Sequence, residues 1–300
     1  MKSIQALVSD YRTAIQNGQC IRMNRNKRRV DPEGTIYQVD MPARHAAAAQ
    51  CALLLSSRRK WLSSGNPKLR KANGALWLNT GFTLSPAEEA KPILMGTRFA
   101  NHNSCSHAVT ACILACVGSV TGQGRLATSK IARIGKLLAL LLYRKQALDL
   151  MTAEILKAQR KAERKGAKLA IRANVATDLP WLAATLAKRC PGVSFYDYTA
   201  IPQALKRPDG VRRILSLKGQ SNMPAVRDAL ASGHGVAVVF DIGKYDPKPA
   251  TWEGAPVIDG DLDDIWFDRA PEGAFVVGLS LKGNNDQQAQ ARTAGFAVAC

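Results

Sequence analysis

Long apolar runs are absent from this 300-residue sequence, and histidine is scarce, with four residues. An apolar stretch among the longest, residues 137–143, has only seven residues. A membrane-spanning helix needs roughly 20. The first residues contain no continuous apolar segment of the kind found in a secretory signal. These absences predict a cytoplasmic protein without membrane spans.

Cysteines are too few and too irregularly placed for a disulfide scaffold. The seven lie at positions 20, 51, 105, 112, 116, 190 and 300. An odd number in a chain much longer than disulfide-rich domains favours a reducing compartment. A catalytic Ser–His–Asp arrangement is also missing, so hydrolysis by a serine nucleophile is not indicated.

Acidic residues are few: 23 Asp and Glu stand against 42 Lys and Arg, which gives a formal net charge of +19. Basic residues concentrate in residues 20–71 and 125–172, whereas residues 241–272 are mainly acidic. So basic a protein usually meets a polyanion, most often nucleic acid, although the excess charge can also serve solubility alone. The predicted phosphate-contacting residues are Arg22, Arg25, Lys27, Arg28, Arg29, Lys157, Arg160, Lys161, Arg164 and Lys165.

Three cysteines with the spacing C-x6-C-x3-C form the most informative local pattern. A helix predicted over residues 111–117 would place Cys112 and Cys116 one turn apart on one face, with Cys105 in the preceding loop. Three thiolates can hold a metal ion or a [4Fe–4S] cluster and leave one coordination position open. His102 and His107 could instead complete a structural zinc site. Simple packing or adventitious disulfides are the remaining alternative.

Strand and helix patterns alternate after Gly166. Strands are predicted at 169–172, 193–196, 235–240 and 275–279, with helices at 181–189 and 223–232. This rhythm predicts an α/β fold with a mostly parallel sheet, open or curled into a partial barrel. Residues 1–66 are expected to form a basic helical accessory segment, with helices at 4–17 and 44–62. Residues 67–300 would form the α/β domain, whose helical front half (125–165, with a break near 143–146) follows the cysteines.

Polar residues follow the predicted strands at the edge where parallel sheets carry their functional groups. Carboxylate and amide groups there can bind a divalent metal, act as a general base or hold a cofactor. Helix caps and turns explain such residues equally well. The segment 257–264 lacks the register of a calcium loop, so calcium is excluded and magnesium stays open. The predicted catalytic or cofactor-binding rim is Asn174, Asp178, Asp197, Asp241, Asp259 and Asp261.

A glycine turn precedes the predicted helical region at residue 125. The sequence Gly-Gln-Gly-Arg at residues 122–125 could seat a phosphate at a helix N-terminus, with Gly124 and Arg125 as the contacts. The pattern is neither a P-loop nor a complete G-x-G-x-x-G, so it specifies no particular nucleotide.

From about residue 69 to residue 300 the sequence resembles the phage- and plasmid-borne family called gene product 88, whose function is unknown. The chain departs from the family at Ser106, where Cys-Pro is usual, and at Ala200, where Tyr-Thr-Lys is usual. The matching segments are residues 79–85, 103–116, 124–125, 171–174, 177–181, 195–199 and 257–261.

The resemblance implies a protein of a mobile element, acting in the cytoplasm of a host cell, and this strengthens the expectation of a nucleic-acid partner. The family's three cysteines ahead of an α/β sheet are distantly similar to radical S-adenosylmethionine enzymes. The chain lacks their C-x3-C-x2-C motif, so S-adenosylmethionine enters only by analogy.

Overall fold

Helices dominate the first half of the chain, and strands alternate with helices in the second. The computed structural model describes residues 2–19, 21–22, 36–37, 43–63, 67–74, 76–114, 116, 122–243 and 245–300. Among these residues, no helix combines the length and the apolar character needed to cross a membrane. The elements are α1 (Ile4–Gln16), β1 (Ile21–Arg22), β2 (Ile36–Tyr37), α2 (Ala43–Leu55), α3 (Pro67–Lys71), β3 (Trp77–Gly81), α4 (Lys91–Leu94), α5 (Thr110–Leu114), α6 (Ala127–Leu142), α7 (Arg144–Glu163), β4 (Lys168–Arg172), α8 (Pro180–Arg189), β5 (Ser194–Thr199), β6 (Val211–Ser216), α9 (Met223–Ala231), β7 (Gly235–Phe240), β8 (Thr251–Trp252), β9 (Ala255–Asp259), β10 (Phe275–Ser280) and α10 (Asn285–Thr293).

Eight strands form one sheet in the order β3-β4-β5-β6-β7-β10-β9-β8. All neighbouring strands are parallel except the β8–β9 hairpin. The sheet does not close, since β3 and β8 are its two edges. The predicted fold class, a mostly parallel open sheet with a helical N-terminal region, is therefore confirmed. Spatial order follows chain order from β3 to β7 and then reverses, because β10 lies between β7 and β9.

Both faces of the central strands are covered, as is usual in parallel sheets. Phe195 in β5 packs into the core formed with α1, α2, α6, α7 and α8. Its neighbour Tyr196 points to the opposite face and packs with Trp77 and Trp266. Trp266 belongs to a short 3-10 turn, Trp266–Asp268. We call residues 262–270 the covering segment, because they lie over the face of the sheet that the helices leave free.

The first two helices share a core with the helices of the α/β region. Residues of α1 and α2 belong to the same buried cluster as residues of α6, β4 and β5. The carboxylate of Glu154 in α7 accepts hydrogen bonds from the backbone N–H of Trp61 and Leu62, at 2.8 and 3.0 Å. Lys136 Nζ donates to the Trp61 carbonyl at 2.6 Å. The boundary expected near residue 66 stays a prediction.

One predicted helix ends earlier than expected, and the predicted break between two others is confirmed. The helix predicted over 44–62 ends at Leu55, because Ser57 takes a positive φ of 56° and Arg58 turns back to bond the Leu53 carbonyl. The break near 143–146 is confirmed at Tyr143, which joins α6 and α7. Gly166, with φ +67°, follows the C-terminus of α7, where glycine favours this conformation.

Candidate functional site

The loop that follows β3 carries the cysteine segment to the carboxyl edge of the sheet. Cys105 is held by its surroundings: its N–H donates to Asn103 Oδ1 at 2.8 Å, and the Ala87 N–H points at its Sγ at 3.4 Å. The Cys105 thiol lies 3.8 Å from the carbonyl of Ala176, in the loop after β4. This thiol is therefore fixed between the ends of two neighbouring strands.

The predicted helix around the other two cysteines is shorter than expected. It spans Thr110–Leu114, so Cys112 lies within α5 whereas Cys116 lies beyond its end. The Cys116 N–H still bonds the Ile113 carbonyl at 3.3 Å, in a turn. The expectation that Cys112 and Cys116 share one helical face is therefore wrong, and the two thiols are related by a turn instead.

The three cysteines nonetheless share one electrostatic environment, and we call Cys105, Cys112 and Cys116 the thiol site. Burial raises the pKa of Cys105 to about 12, with smaller contributions from Cys116, Asp178 and Cys112 and an opposing one from the hydrogen bond of the Ala87 N–H. Burial also raises the pKa of Cys112, against the opposing effect of Lys218. Both thiols are therefore protonated at neutral pH unless a cation compensates for their charge.

Metal binding by these thiols stays a prediction. In the described part of the chain, no group of three or more His, Cys, Asp or Glu residues is arranged to hold a metal ion. His102 Nε2 lies 3.1 Å from Ser104 Oγ, and His107 Nδ1 lies 3.1 Å from Ser106 Oγ. Burial lowers the pKa of His102, which favours its neutral, metal-binding form.

Asp178, a predicted rim residue, lies between the thiol site and the end of β5. Its carboxylate accepts hydrogen bonds from Thr199 Oγ1 at 2.8 Å and from the Ala200 N–H at 2.7 Å. Its own N–H donates to the Ser104 carbonyl at 2.9 Å, next to Cys105. Burial raises the pKa of Asp178. This residue therefore ties the cysteine loop to the ends of β4 and β5.

Asn174 and Asp197 hold the loop after β4, which carries Asp178. Asn174 Nδ2 donates to Asp197 Oδ2 at 2.5 Å, and Asn174 Oδ1 accepts from Thr177 and Leu179 at 2.8 and 3.1 Å. Asp197 lies inside β5 and not after it, because the strand extends to Thr199. It is 3% exposed, and burial raises its pKa to about 7. These two residues contact the loop and not the thiols.

Lys218 is a residue of this region that the sequence did not point to. It follows β6, is half-buried, and its positive charge lowers the pKa of Cys112 against the effect of burial. Its ammonium also lies 6.0 Å from the centre of the Phe296 ring. The sequence did not predict β6, because Arg212 and Arg213 interrupt its apolar pattern, and Lys218 therefore could not be placed at a strand end. In the structure Arg213 is buried and pairs with Asp209 at 2.7 Å.

The other rim residues form two separate groups. Asp259 and Asp261 surround Lys248, whose Nζ lies 3.1 and 3.2 Å from their carboxylates. Lys282 also pairs with Asp261, at 2.9 Å. Asp241, directly after β7, forms a separate ion pair with Arg292 of α10. The six predicted rim residues thus fall into three sets, and of them Asp178 contacts the cysteine segment, with Asn174 and Asp197 behind it in the loop after β4 and in β5.

A polar network under the covering segment was not predicted. Arg172 Nη1 pairs with the fully buried Asp264 at 3.0 Å, and its guanidinium lies 4.3 Å from the centre of the Tyr198 ring. The Tyr196 hydroxyl lies 3.0 Å from both Asp264 Oδ2 and Asn79 Oδ1. Burial raises the pKa of both tyrosines well above its usual value, so they act as donors. The network joins the covering segment to three strands.

The predicted basic residues fall into a described and an undescribed set. Arg22 lies in β1, whereas the other N-terminal candidates lie outside the described residues. The five candidates at the C-terminal end of α7 are all exposed. Lys157, Arg160 and Lys161, at i, i+3 and i+4, lie on one side of the helix, whereas Arg164 caps its C-terminus and Lys165 lies in the turn that follows. We call this set the α7 stripe; it comprises Lys157, Arg160, Lys161, Arg164 and Lys165.

The glycine turn predicted to seat a phosphate lies in a 3-10 turn, Gly122–Arg125, before α6. The Gly124 carbonyl accepts a hydrogen bond from Arg133 Nη1 at 2.6 Å, and Arg133 also pairs with Glu89. Arg125 is exposed. The buried Arg133 thus fixes the turn against the loop before the cysteines, while phosphate binding there stays a prediction.

Comparison with known proteins gives one family and no individual relative. No curated protein and no solved structure matches the chain significantly. A profile of the family described as gene product 88 matches residues 55–299. The match includes the thiol site, the whole eight-stranded sheet and the α7 stripe, and it confirms the resemblance expected from the sequence motifs. The chain therefore belongs to the gene product 88 family.

Proposed function

We propose that this protein binds nucleic acid through the α7 stripe. The observation that carries the proposal is the stripe itself: three exposed cations of the last turns of α7 and two of the turn that follows form no ion pair with another described residue. The helical part alone, from Lys157 to Lys161, rises about 6 Å, close to the spacing of successive backbone phosphates, and Arg164 and Lys165 extend the stripe further. Unpaired cations release condensed counterions when they meet phosphates, and this release supplies most of such affinity.

The net charge of +19 adds long-range attraction to this local stripe. Binding of this kind depends on phosphate contacts and not on base edges, so we expect little sequence preference. The stripe adjoins the start of β4, whereas the thiol site adjoins the end of that strand. The proposed nucleic-acid surface and the thiol site therefore lie at opposite edges of the sheet.

The test compares two double variants that remove the same charge. Lys161→Gln with Arg164→Gln removes two members of the α7 stripe, whereas Lys206→Gln with Arg207→Gln removes two exposed cations elsewhere. Fluorescence anisotropy with single- and double-stranded DNA and RNA, over a range of salt, measures both affinity and salt dependence. The stripe variant should bind roughly tenfold more weakly and lose about 2 from the log–log salt slope.

The control double variant should keep both the affinity and the slope close to those of the wild-type chain. Equal losses in the two variants would mean that binding is spread over the whole charge and not centred on α7. Absence of binding at low salt would overturn the proposal altogether.

A second candidate function is metal or iron–sulfur chemistry at the thiol site. Its support is the convergence of Cys105, Cys112 and Cys116 on one electrostatic neighbourhood, beside the carboxyl ends of β4, β5 and β6. Three cysteines can hold a [4Fe–4S] cluster with one iron open, where S-adenosylmethionine would bind by analogy with radical enzymes. A structural zinc site that uses His102 or His107 as a further ligand is the alternative.

Metal analysis of protein purified without oxygen tests this second candidate. A [4Fe–4S] cluster requires iron and sulfide close to four of each per chain, together with broad visible absorption. Cys112→Ala should abolish both, whereas Cys190→Ala, which changes a buried cysteine next to α8, should keep them. Colourless protein with stoichiometric zinc would support the structural site. Absence of both metals after reconstitution would exclude the candidate.

A further inference from the structure

A cleft of about 630 Å³ opens beyond the carboxyl ends of the neighbouring strands β7 and β10. Its walls are the segment after β7, the segment after β10 and one side of α10. The strand order of the sheet reverses between these two strands. Open α/β sheets bind their ligands outside the carboxyl ends of their strands, and this volume suits a small molecule.

Cations line the side of the cleft formed by β10 and α10. Arg292 Nε lies 2.8 Å from both carboxylate oxygens of Asp241, and Lys282 Nζ lies 2.9 Å from Asp261. The side chains of Arg292 and Asp241 remain 48% and 32% exposed, so their pairing is weak and open to competition. Arginine has five N–H donors and lysine three, which leaves donors of both residues for an anionic ligand.

The main chain adds positive character at the same side. Gly283 precedes α10 with φ +122°, and a side chain at this position would collide with Gln287. Gln287 and Asn284 form a capping box that uses the N–H groups of both residues, so the N-terminus of α10 contributes its dipole to this side of the cleft. Asp241 and Asp246 supply carboxylates on the opposite wall. The cleft thus offers donors on one wall and acceptors on the other.

We infer that this cleft binds a small phosphate ester that carries hydroxyl groups, such as a nucleoside monophosphate. The phosphate would lie between Arg292 and Lys282, which line the same cleft. The hydroxyl groups would donate to the carboxylates of Asp241 and Asp246. An apolar ligand would desolvate these charged groups without offering them a hydrogen bond, which is costly. The inference is independent of nucleic-acid binding by the α7 stripe.

Calorimetric titration at physiological salt, with AMP, ribose 5-phosphate and inorganic phosphate as probes, tests the inference. All three should bind saturably, and AMP and ribose 5-phosphate should bind more tightly than phosphate alone. Arg292→Gln should weaken all three by about tenfold or more, the loss expected for a charged hydrogen bond. Asp241→Asn should weaken AMP and ribose 5-phosphate but not inorganic phosphate.

Two controls separate the cleft from general attraction to a basic protein. Arg227→Gln breaks another exposed ion pair, with Glu253, and should leave binding of all probes unchanged. The double change Lys161→Gln and Arg164→Gln should also leave it unchanged, although the same variant weakens nucleic-acid binding. No saturable binding by the wild-type chain, or equal binding by Arg292→Gln, would overturn the inference.

Discussion

At the scale of single residues, Asp197 is a carboxyl group whose ionised form is disfavoured by burial in the folded protein. It lies inside β5 and is 3% exposed, and burial raises its pKa to about 7. Hydrogen bonds from the N–H and Nδ2 of Asn174 offset part of that cost. Asn174 also accepts hydrogen bonds from Thr177 and Leu179. The charge state of Asp197 is therefore coupled, through Asn174, to the loop that carries Asp178 to the thiol site.

This environment predicts a pH dependence of stability. The folded chain binds the Asp197 proton more tightly than the unfolded chain, whose carboxyl has a pKa near 3.8. Stability should therefore fall as the pH rises from about 4 to about 7, by at most roughly 1.4 kcal/mol per pH unit from this residue. Urea unfolding at several pH values measures the free energy of unfolding of the wild-type chain and of Asp197→Asn. The difference between the two free energies should change steadily between about pH 4 and about pH 7.

The exposed change Asp228→Asn serves as the control and should leave the pH profile of the wild-type chain unaltered. Parallel profiles for the wild-type chain and Asp197→Asn would mean that Asp197 stays ionised in the folded protein, contrary to the argument from burial.

At the scale of elements, the crossing of α2 and α6 depends on one glycine. A Cβ atom at Gly135 would collide with Gln50 Cβ and come within 3.2 Å of the Cys51 backbone nitrogen. The two helices therefore approach more closely than side chains permit, and the Ala-rich face of α2 lies in the same contact. This contact attaches the N-terminal helices to the helical layer of the sheet.

Gly135→Ala should destabilise the protein by about 2 kcal/mol. Alanine in a helix interior gains about 1 kcal/mol over glycine, but overpacking at a fixed helix crossing costs more because α2 itself must shift. Thermal or urea unfolding measures the change. Gly74→Ala, at an exposed turn with no neighbour near the added atom, should change stability by less than about 0.5 kcal/mol. A stabilised Gly135→Ala variant would mean that α2 moves without cost.

At the scale of the whole molecule, acidic and basic residues differ in how many of them form ion pairs. The acidic C-terminal stretch is largely paired with its own cations: Asp259 with Lys248, Asp263 with Arg269, and Asp261 with both lysines near it. The α7 stripe has no such partners among the described residues. The uncompensated positive charge therefore lies partly on α7, where it can attract a polyanion from a distance.

Distance across the sheet also separates the proposed activities. The stripe adjoins the amino end of β4, and the thiol site adjoins its carboxyl end. Five residues of strand span roughly 16 Å. A nucleic acid that reached both sites would have to cross that edge-to-edge length, so binding at the stripe and chemistry at the thiols can be tested separately.

Local sequence was enough to predict the strands whose residues are apolar and continuous. The pattern at 235–240 matches β7 to the residue, and the predicted strand at 275–279 differs from β10 by one residue. Strands without a continuous apolar pattern were missed, among them two of the five parallel strands from β3 to β7: Trp77–Gly81 contains Asn79 and Thr80, and Val211–Ser216 contains two arginines. Polar side chains in them are buried only because other segments supply partners, such as Asp209 for Arg213.

By itself, the sequence determined the fold class, the family and the stripe of basic residues, since each depends on spacing along the chain. The tertiary structure alone decided which polar residues meet. It brought Asp178 and Lys218 to the thiol site, separated Asp241 and Asp259 from it, and buried Asp264 beside Arg172. Such encounters depend on strand order and loop course, which no periodicity encodes, because the partners are distant in sequence: Asp264 lies 92 residues from Arg172, and Tyr196 lies 117 residues from Asn79.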